Sequence, residues 1–406
     1  MTSNSELIPE MQTLIAQELE LNGVNLNKNI WLSSESVLQE ISLILASPAH
    51  EGRVPSSGVM FVEDVTELTG AERIALPAKD IELTRMLANG IDYFLLYERD
   101  RFFGLAYFKE PLATELQLVR NFPASGGMLV QRGPTGSTKF FQGDSITLHE
   151  NRVWRIKSHV KEAAWKVSQC LSSVDRHVLN RILELSFHLL SPTSRVGATL
   201  VWCMRPPMED ILEGLSVGHE LASLHLSILN EAHSTAICHL LSGVDGATFL
   251  DPLGNLISTG VHLKYSDQSR DFVPEFKGTR HTSAKRFSFD KENALVVTIS
   301  EDGPVTVFSN GASIANLSIH SSYKEAKKLK AKAPEKREDI TSSSYETICK
   351  HCGKTSMLEQ INVEGFEEDW NVNCPVCQAH LHHSFCFSLE CRPFRRLAEV
   401  VMPPAG

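Results

Sequence analysis

The stretch Val244-Asp245-Gly246-Ala247-Thr248-Phe249-Leu250-Asp251-Pro252-Leu253-Gly254-Asn255-Leu256-Ile257-Ser258-Thr259-Gly260-Val261 decides how the middle of the chain is read. Thr248–Asp251 and Leu256–Tyr265 have the β-branched and apolar content of strands. Between them, Pro252-Leu253-Gly254-Asn255 carries turn chemistry, proline fixing φ and glycine permitting positive φ. The apolar residues of Val217–Ser242 predict a long helix just upstream. Asp245 then sits at a helix-to-strand junction, where sites in α/β domains often form. Gly246 and Ala247 leave room for a flat base or a ribose, and Asp245 can hold a divalent metal or orient a hydroxyl. Taken alone, Asp-Gly is also a common turn.

Working outward, Gly197–Met204 reads as a buried strand. Ala294–Ser300 and Val305–Phe308 read as two more, joined through Glu301-Asp302-Gly303. Helical spacing from Val160 to Leu190 is interrupted at Ser172-Ser173 and stopped by Pro192. Strands interspersed with helices predict an α/β domain, a mixed central sheet flanked by helices, over 158–320. Before it, helical spacing over 4–20 and 33–47 is followed by short apolar segments such as Tyr93–Tyr97, Phe103–Phe108 and Met128–Gln131. This predicts a mixed α+β domain over 1–157. Lys324 to Arg337 is dominated by basic residues and reads as part of a solvated linker, 321–345, ahead of a last domain over 346–406.

Bulk properties bound the function. The chain has 406 residues, 42 % hydrophobic and 22 % charged, so it can bury more than one core. A formal net charge of -10 argues against general affinity for nucleic acid or anionic membrane. The sequence has no run of 18 apolar residues and its start lacks a signal-peptide pattern, so the expected location is cytoplasmic.

Two further segments carry chemistry. In Lys277-Gly278-Thr279-Arg280-His281, glycine permits close approach, Thr279 offers a hydroxyl, Arg280 presents a planar fork to phosphate oxygens and His281 adds a donor. In Ser300-Glu301-Asp302-Gly303, carboxylates at a strand end can complete a metal site with Asp245. Singly, these have plainer readings as a surface pair and an acidic turn. In order, Asp245-Gly246-Ala247, Gly278-Thr279-Arg280-His281 and Ser300-Glu301 resemble the diadenylate cyclase family, supported by the Gly197–Val201 strand and the Asn310-Gly311 turn. The resemblance covers about two fifths of the chain.

That resemblance implies an enzyme, a nucleotidyltransferase that condenses two ATP into cyclic di-AMP and two pyrophosphates. Each 3′-hydroxyl attacks the partner's α-phosphate between two facing domains of a homodimer or higher oligomer. Asp245 and Glu301 would hold Mg²⁺ or Mn²⁺, with Asp245 also positioning the hydroxyl, and Arg280 and His281 would hold the polyphosphate. Gly246, Ala247, Gly278 and Thr279 would complete the substrate site. The family commonly has arginine where this chain has Thr282, which bears on ATP affinity; Lys277 or Lys285 are the candidate substitutes. Residues from about Leu43 to Lys157 resemble, less sharply, a sensor domain found ahead of some bacterial members, which names no ligand.

Six of the nine cysteines fall between Cys349 and Cys391. Cys349-x₂-Cys352 and Cys374-x₂-Cys377, separated by 21 residues, have the spacing of a zinc ribbon with four thiolates on one structural Zn²⁺. His380, His382, His383, Cys386 and Cys391 form either a second metal site or a surface cluster plus a reactive or buried thiol. Besides the enzyme, two readings stay open: a cyclase-like nucleotide sensor without turnover, suggested by Thr282, and a zinc-ribbon adaptor.

Overall fold

The computed structural model describes residues 9–393, apart from 47–53, 123–126, 144, 172–173, 191–196, 216–217, 302, 321–339, 364–367, 375, 378 and 387. The chain divides into two compact units, Met1–His159 with Ser318–Ala333, and Val160–Leu317 with Pro334–Gly406.

The first unit is built on a sheet buried on both faces. In β1 (Ser57–Val62), Val59 and Phe61 enter one apolar cluster while Met60 and Val62 enter another, as a two-residue period requires. β1 runs parallel to β3 (Tyr93–Glu98), which is followed by β4 (Arg101–Phe108) and the edge strand β2 (Ala71–Ala75). On the other side, β5 (Met128–Arg132), β6 (Thr138–Gln142), β7 (Ser145–Glu150) and β8 (Val153–Lys157) follow as an antiparallel meander. Helices α1 (Pro9–Leu21) and α2 (Glu35–Ala46) supply Leu19, Leu38 and Ile41 to the Val59 face. Short helices α3 (Ile81–Leu87) and α4 (Glu115–Asn121) follow, α4 opening on a reciprocal Thr114–Gln117 cap and supplying Leu118 to the Met60 face.

Two buried carboxylates in this unit are neutralised. Glu40 accepts from Arg85 at 2.7 Å and from the Tyr97 hydroxyl at 3.0 Å, while Glu115 takes Lys139 at 2.8 Å and also Lys157. The sheet ends in β16 (Ile319–His320), which pairs with β8 from far along the chain, Ile319 opposite Lys157. There the Ser158 amide donates to the Ser318 carbonyl at 3.0 Å, and the Ser318 amide donates to Ser158 Oγ at 3.1 Å.

The second unit holds a seven-stranded mixed sheet. Its centre is β9 (Ala198–Cys203), parallel to β11 (Ala247–Leu250) and antiparallel to β13 (Ala294–Ile299), all three buried along their length. Apolar runs of this kind are what a sheet covered on both faces demands. β12 (Leu256–Val261) and β10 (His219–Glu220) extend one side, and β14 (Val305–Ser309) and β15 (Ala312–Leu317) the other. Helices α5 (Val160–Cys170) and α6 (Arg176–Glu184), the latter continued by a wider turn over Leu185–Leu190, and short α7 (Glu209–Leu212) precede α8 (Ser234–Gly243). Helices α9 (Asp267–Phe272) and α10 (Gly278–Asp290) follow, Ala284 and Phe287 of α10 packing on Val201, Phe249, Val296 and Phe308. The helix break read at Ser172-Ser173 lies outside the described residues.

One expectation fails. Val217–Ser242 is not one long helix, because among its described residues only those of Ser234–Gly243 are α-helical. Before it the backbone pairs with the sheet edge: Leu221 donates to Ile257 at 2.7 Å and Ile228 to Gly254 at 3.0 Å, with His225 left-handed at φ 49°. Leu221 and Ile228 are buried by that pairing, so apolar spacing serves an edge segment and not a helical face.

The same unit carries the cysteine-rich module, with antiparallel β17 (Ile340–Ile348), β18 (Thr355–Val363) and β21 (Ser388–Pro393), and a hairpin of β19 (Glu368–Asn373) with β20 (His380–Cys386). Each Cys-x₂-Cys segment is the tight turn between two strands, the arrangement of a small zinc ribbon. The charged stretch 324–337 lies outside the described residues.

Candidate functional site

Register places the predicted residues at one end of the seven-stranded sheet. Ala198 pairs with Ile299, Ala247 with Thr199, and Ala247 with Val261. Gly197 therefore precedes β9, Asp245 precedes β11, and Ser300-Glu301 leaves β13 at the same rim. Neighbouring strands lie about 4.8 Å apart, so with β9 between them the backbones at Asp245 and Glu301 are separated by roughly 10 Å.

Asp245 is exposed, and its Oδ1 accepts from the Gly246 amide at 2.9 Å. Gly246 has φ +99°, and a Cβ there would lie 2.8 Å from the Gly260 carbonyl carbon. Glycine is thus required for β11 to meet β12, and the turn delivers the Asp245 carboxylate to solvent. Ala247 is buried in the sheet core, so it shapes the rim and does not line it. Glu301 is exposed in a turn closed by Gly303 donating to the Ser300 carbonyl at 3.0 Å; Asp302 lies outside the described residues.

The Gly278–His281 segment is the first turn of α10, a helix of 13 residues. Gly278 has φ +76° with open space about it, and the Lys277 side chain makes no capping hydrogen bond. Early amides of a helix have no intrahelical acceptors, and with the helix dipole they suit a phosphate. Thr279 is exposed beside them.

Arg280 folds back against Gly197: a Cβ on Gly197 would lie 1.7 Å from an Arg280 guanidinium nitrogen and 3.2 Å from the Ile299 carbonyl oxygen. Sequence reading took Gly197 only as a strand start, although a glycine opening a buried strand is the signal of close approach. His281 turns inward and is 7 % exposed, tilted against Phe276 at 5.9 Å and edge-on to Phe308 at 6.1 Å. Its Nε2 lies 3.3 Å from Ser300 Oγ, which ties the helix start to the strand that carries Glu301.

Thr282 has a use that sequence did not reveal. Its hydroxyl accepts from the Phe276 amide at 3.1 Å and lies 2.8 Å from the Gly278 carbonyl and 3.2 Å from that of Phe276. It staples the approach loop to the helix. Thr282→Val removes hydrogen bonds worth about 0.5–1.5 kcal/mol and should weaken binding of the ATP that the resemblance implies about two- to tenfold, while Thr282→Ser retains it. Titration calorimetry on both variants checks this; equal affinities would leave the hydroxyl without a part in the site. Lys285, the other candidate cation, is buried with its ammonium 5.6 Å from the centre of the Phe276 ring.

The four cysteines also converge. Cys349, Cys352, Cys374 and Cys377 present sulfurs all within 4.8 Å of one another, Cys349 to Cys377 at 3.5 Å and Cys352 to Cys374 at 3.7 Å. Tetrahedral zinc with Zn–S near 2.3 Å sets its sulfurs about 3.8 Å apart, so the set fits that ion. Burial opposes ionisation of Cys374, but the Cys377 and Val376 amides and the facing thiols outweigh it and bring it down to about 7. That eases formation of the thiolate at Cys374, whereas burial pushes the Cys349 thiol up to about 12 and raises that of Cys352 as well. This is the one such group of His, Cys, Asp or Glu among the described residues. His380 is placed on β20, but the side chains of His382, His383, Cys386 and Cys391 lie outside the description, so the second site has no geometry here.

Residues 190–313, which hold the whole rim from Gly197 to Glu301, match the family model described as DisA bacterial checkpoint controller nucleotide-binding. Residues 14–158 match a probable sensor domain, DACNK. A search of curated proteins finds no match. Among the described residues no helix is long and apolar enough to cross a membrane. The two matches give the chain the architecture of a DACNK-type sensor domain followed by a DisA-type diadenylate cyclase domain, the latter over residues 190–313.

Proposed function

We propose that this chain condenses two ATP molecules into cyclic di-AMP, releasing two pyrophosphates. The observation that carries the reading is the convergence of Asp245, the Gly197-cradled Arg280, the open first turn of α10 and Glu301 on one sheet rim. In each half-reaction a 3′-oxygen bonds to the α-phosphorus of the other ATP, the bond from that phosphorus to the oxygen bridging to the β-phosphate breaks with pyrophosphate leaving on its electron pair, and the hydroxyl proton passes to water at the exposed rim. Asp245 orients that hydroxyl, the α10 amides and Arg280 hold the phosphates, and His281 fixes the helix start through Ser300.

Asp245 and Glu301 are exposed carboxylates, neither paired with a cation among the described residues, and such hard oxygen donors fit Mg²⁺ or Mn²⁺. When bound, that ion would neutralise charge developing on the phosphoryl oxygens. The reading of a turnover-free nucleotide sensor rested on Thr282, whose staple gives it a structural use here.

One rim supplies one ATP, so two copies must face each other. The rate of cyclic di-AMP formation should therefore rise more steeply than in proportion to protein concentration where sizing shows dissociation. Chromatography of the product from ATP and Mn²⁺ across a dilution series tests this. Strict proportionality down to the monomer would reject the facing arrangement, and no product at any concentration would reject the activity.

A further inference from the structure

The first cysteine knuckle packs on the helix that carries the phosphate-binding turn. Gly353 lies flat on Phe272, the last residue of α9: a Cβ there would meet Phe272 Cδ1 at 2.5 Å and Cε1 at 2.7 Å, and its φ is +68°. Phe272 in turn meets Phe289 of α10 edge-on, centroids 6.3 Å apart and planes at 89°. Ile348, just before Cys349, is buried with Val273 and Phe289 in one cluster. Lys350 closes the contact, binding Glu292 at 3.1 Å, lying 5.5 Å from the Phe289 ring centre and accepting from Gln268 Nε2 on its carbonyl.

These contacts converge on the start of the segment 273–277, which leads from α9 into Gly278. The Val273 carbonyl accepts from Arg286 Nε at 3.2 Å, so α10 fixes the segment from one side and the knuckle from the other. The knuckle's conformation depends on its ion. The Cys349 and Gly353 backbones close it, Gly353 donating to the Cys349 carbonyl at 2.8 Å, and a bound metal would hold the four mutually facing sulfurs together.

We propose that Phe272 is a positioning residue for the nucleotide, clamped by the metal-bound first knuckle, so that zinc occupancy sets the order of segment 273–277 and with it the affinity for ATP. The proposal rests on the reading of residues 278–281 as the phosphate site. Its consequence is a cyclase tuned by zinc at a site that touches neither substrate nor catalytic metal.

The test uses the full chain, with zinc content measured by elemental analysis and ATP affinity by calorimetry in Ca²⁺. Phe272→Ala should keep its zinc and weaken ATP binding on the order of tenfold, within the 5- to 150-fold span common for coupled sites. Stripping zinc from the wild type should weaken binding by a similar factor, and stripping it from Phe272→Ala should add little, because both changes act through one contact. Phe272→Tyr keeps the ring and should bind as the wild type does. Hydrogen exchange over 273–282 should rise in both weakened forms. Equal affinity of zinc-loaded and zinc-stripped wild type overturns the proposal, as does a folded Phe272→Ala protein that binds normally. Should Phe272→Ala not fold, the zinc-stripping and exchange measurements decide alone. Zinc-loaded wild type that binds no ATP overturns instead the nucleotide site on which the proposal stands.

Discussion

Asp245→Asn should lower cyclic di-AMP formation by at least about a hundredfold, the scale on which removal of one preorganised transition-state group is felt. The substitution is nearly isosteric at an exposed position, and the amide oxygen can still accept from the Gly246 amide, now at 2.9 Å. The fold should therefore persist while the negative charge that the proposed reaction places at the attacking hydroxyl is lost. A group that acts in the transition state lowers the maximal rate and the specificity constant together. Mass spectrometry of the product and a thermal melt of the same sample give both readouts. Near-normal turnover from a normally melting variant would remove Asp245 from the chemistry.

Gly197→Ala should raise the ATP dissociation constant roughly ten- to hundredfold, the worth of one charge-assisted contact. The new methyl group would occupy the space of the Arg280 guanidinium, 1.7 Å from its nearest nitrogen. That atom is the far end of a flexible side chain, so the arginine swings away and the strand stays where it is. Arg280→Ala should cost about as much, and the double variant little more than either, because both act on one interaction. A folded Gly197→Ala protein with wild-type affinity would show that Arg280 serves the phosphates without its cradle.

Sequence reading went far where backbone geometry dictates residue type. Gly246, Gly278 and Gly311 all have positive φ, so the motifs they punctuate were visible as glycines at fixed places. The strands 198–203, 247–250 and 294–299 were visible because strands covered on both faces need unbroken apolar runs. Between 217 and 233 the same apolar content misled, since an edge segment and a helix can both bury leucines. What pattern could not give was encounter between distant segments: Arg280 over Gly197, the Thr282 staple onto Phe276, and Gly353 on Phe272. These depend on how the elements pack, which local pattern does not encode.

The late strand β16 has a consequence for how this protein can be divided or evolve. The chain leaves the first sheet at Lys157 and returns to it at Ile319, so residues 160–317 are an insertion within another fold. Cutting the chain after Leu317 would not release an intact first unit. It would strip the partner from β8 and leave an open strand edge, a template for aggregation or for exchange of β16 between copies. The reverse excision, joining Ser158 to Ser318, spans two residues whose backbones already hydrogen-bond at 3.0 Å, and so removes residues 160–317 at little geometric cost to the first sheet.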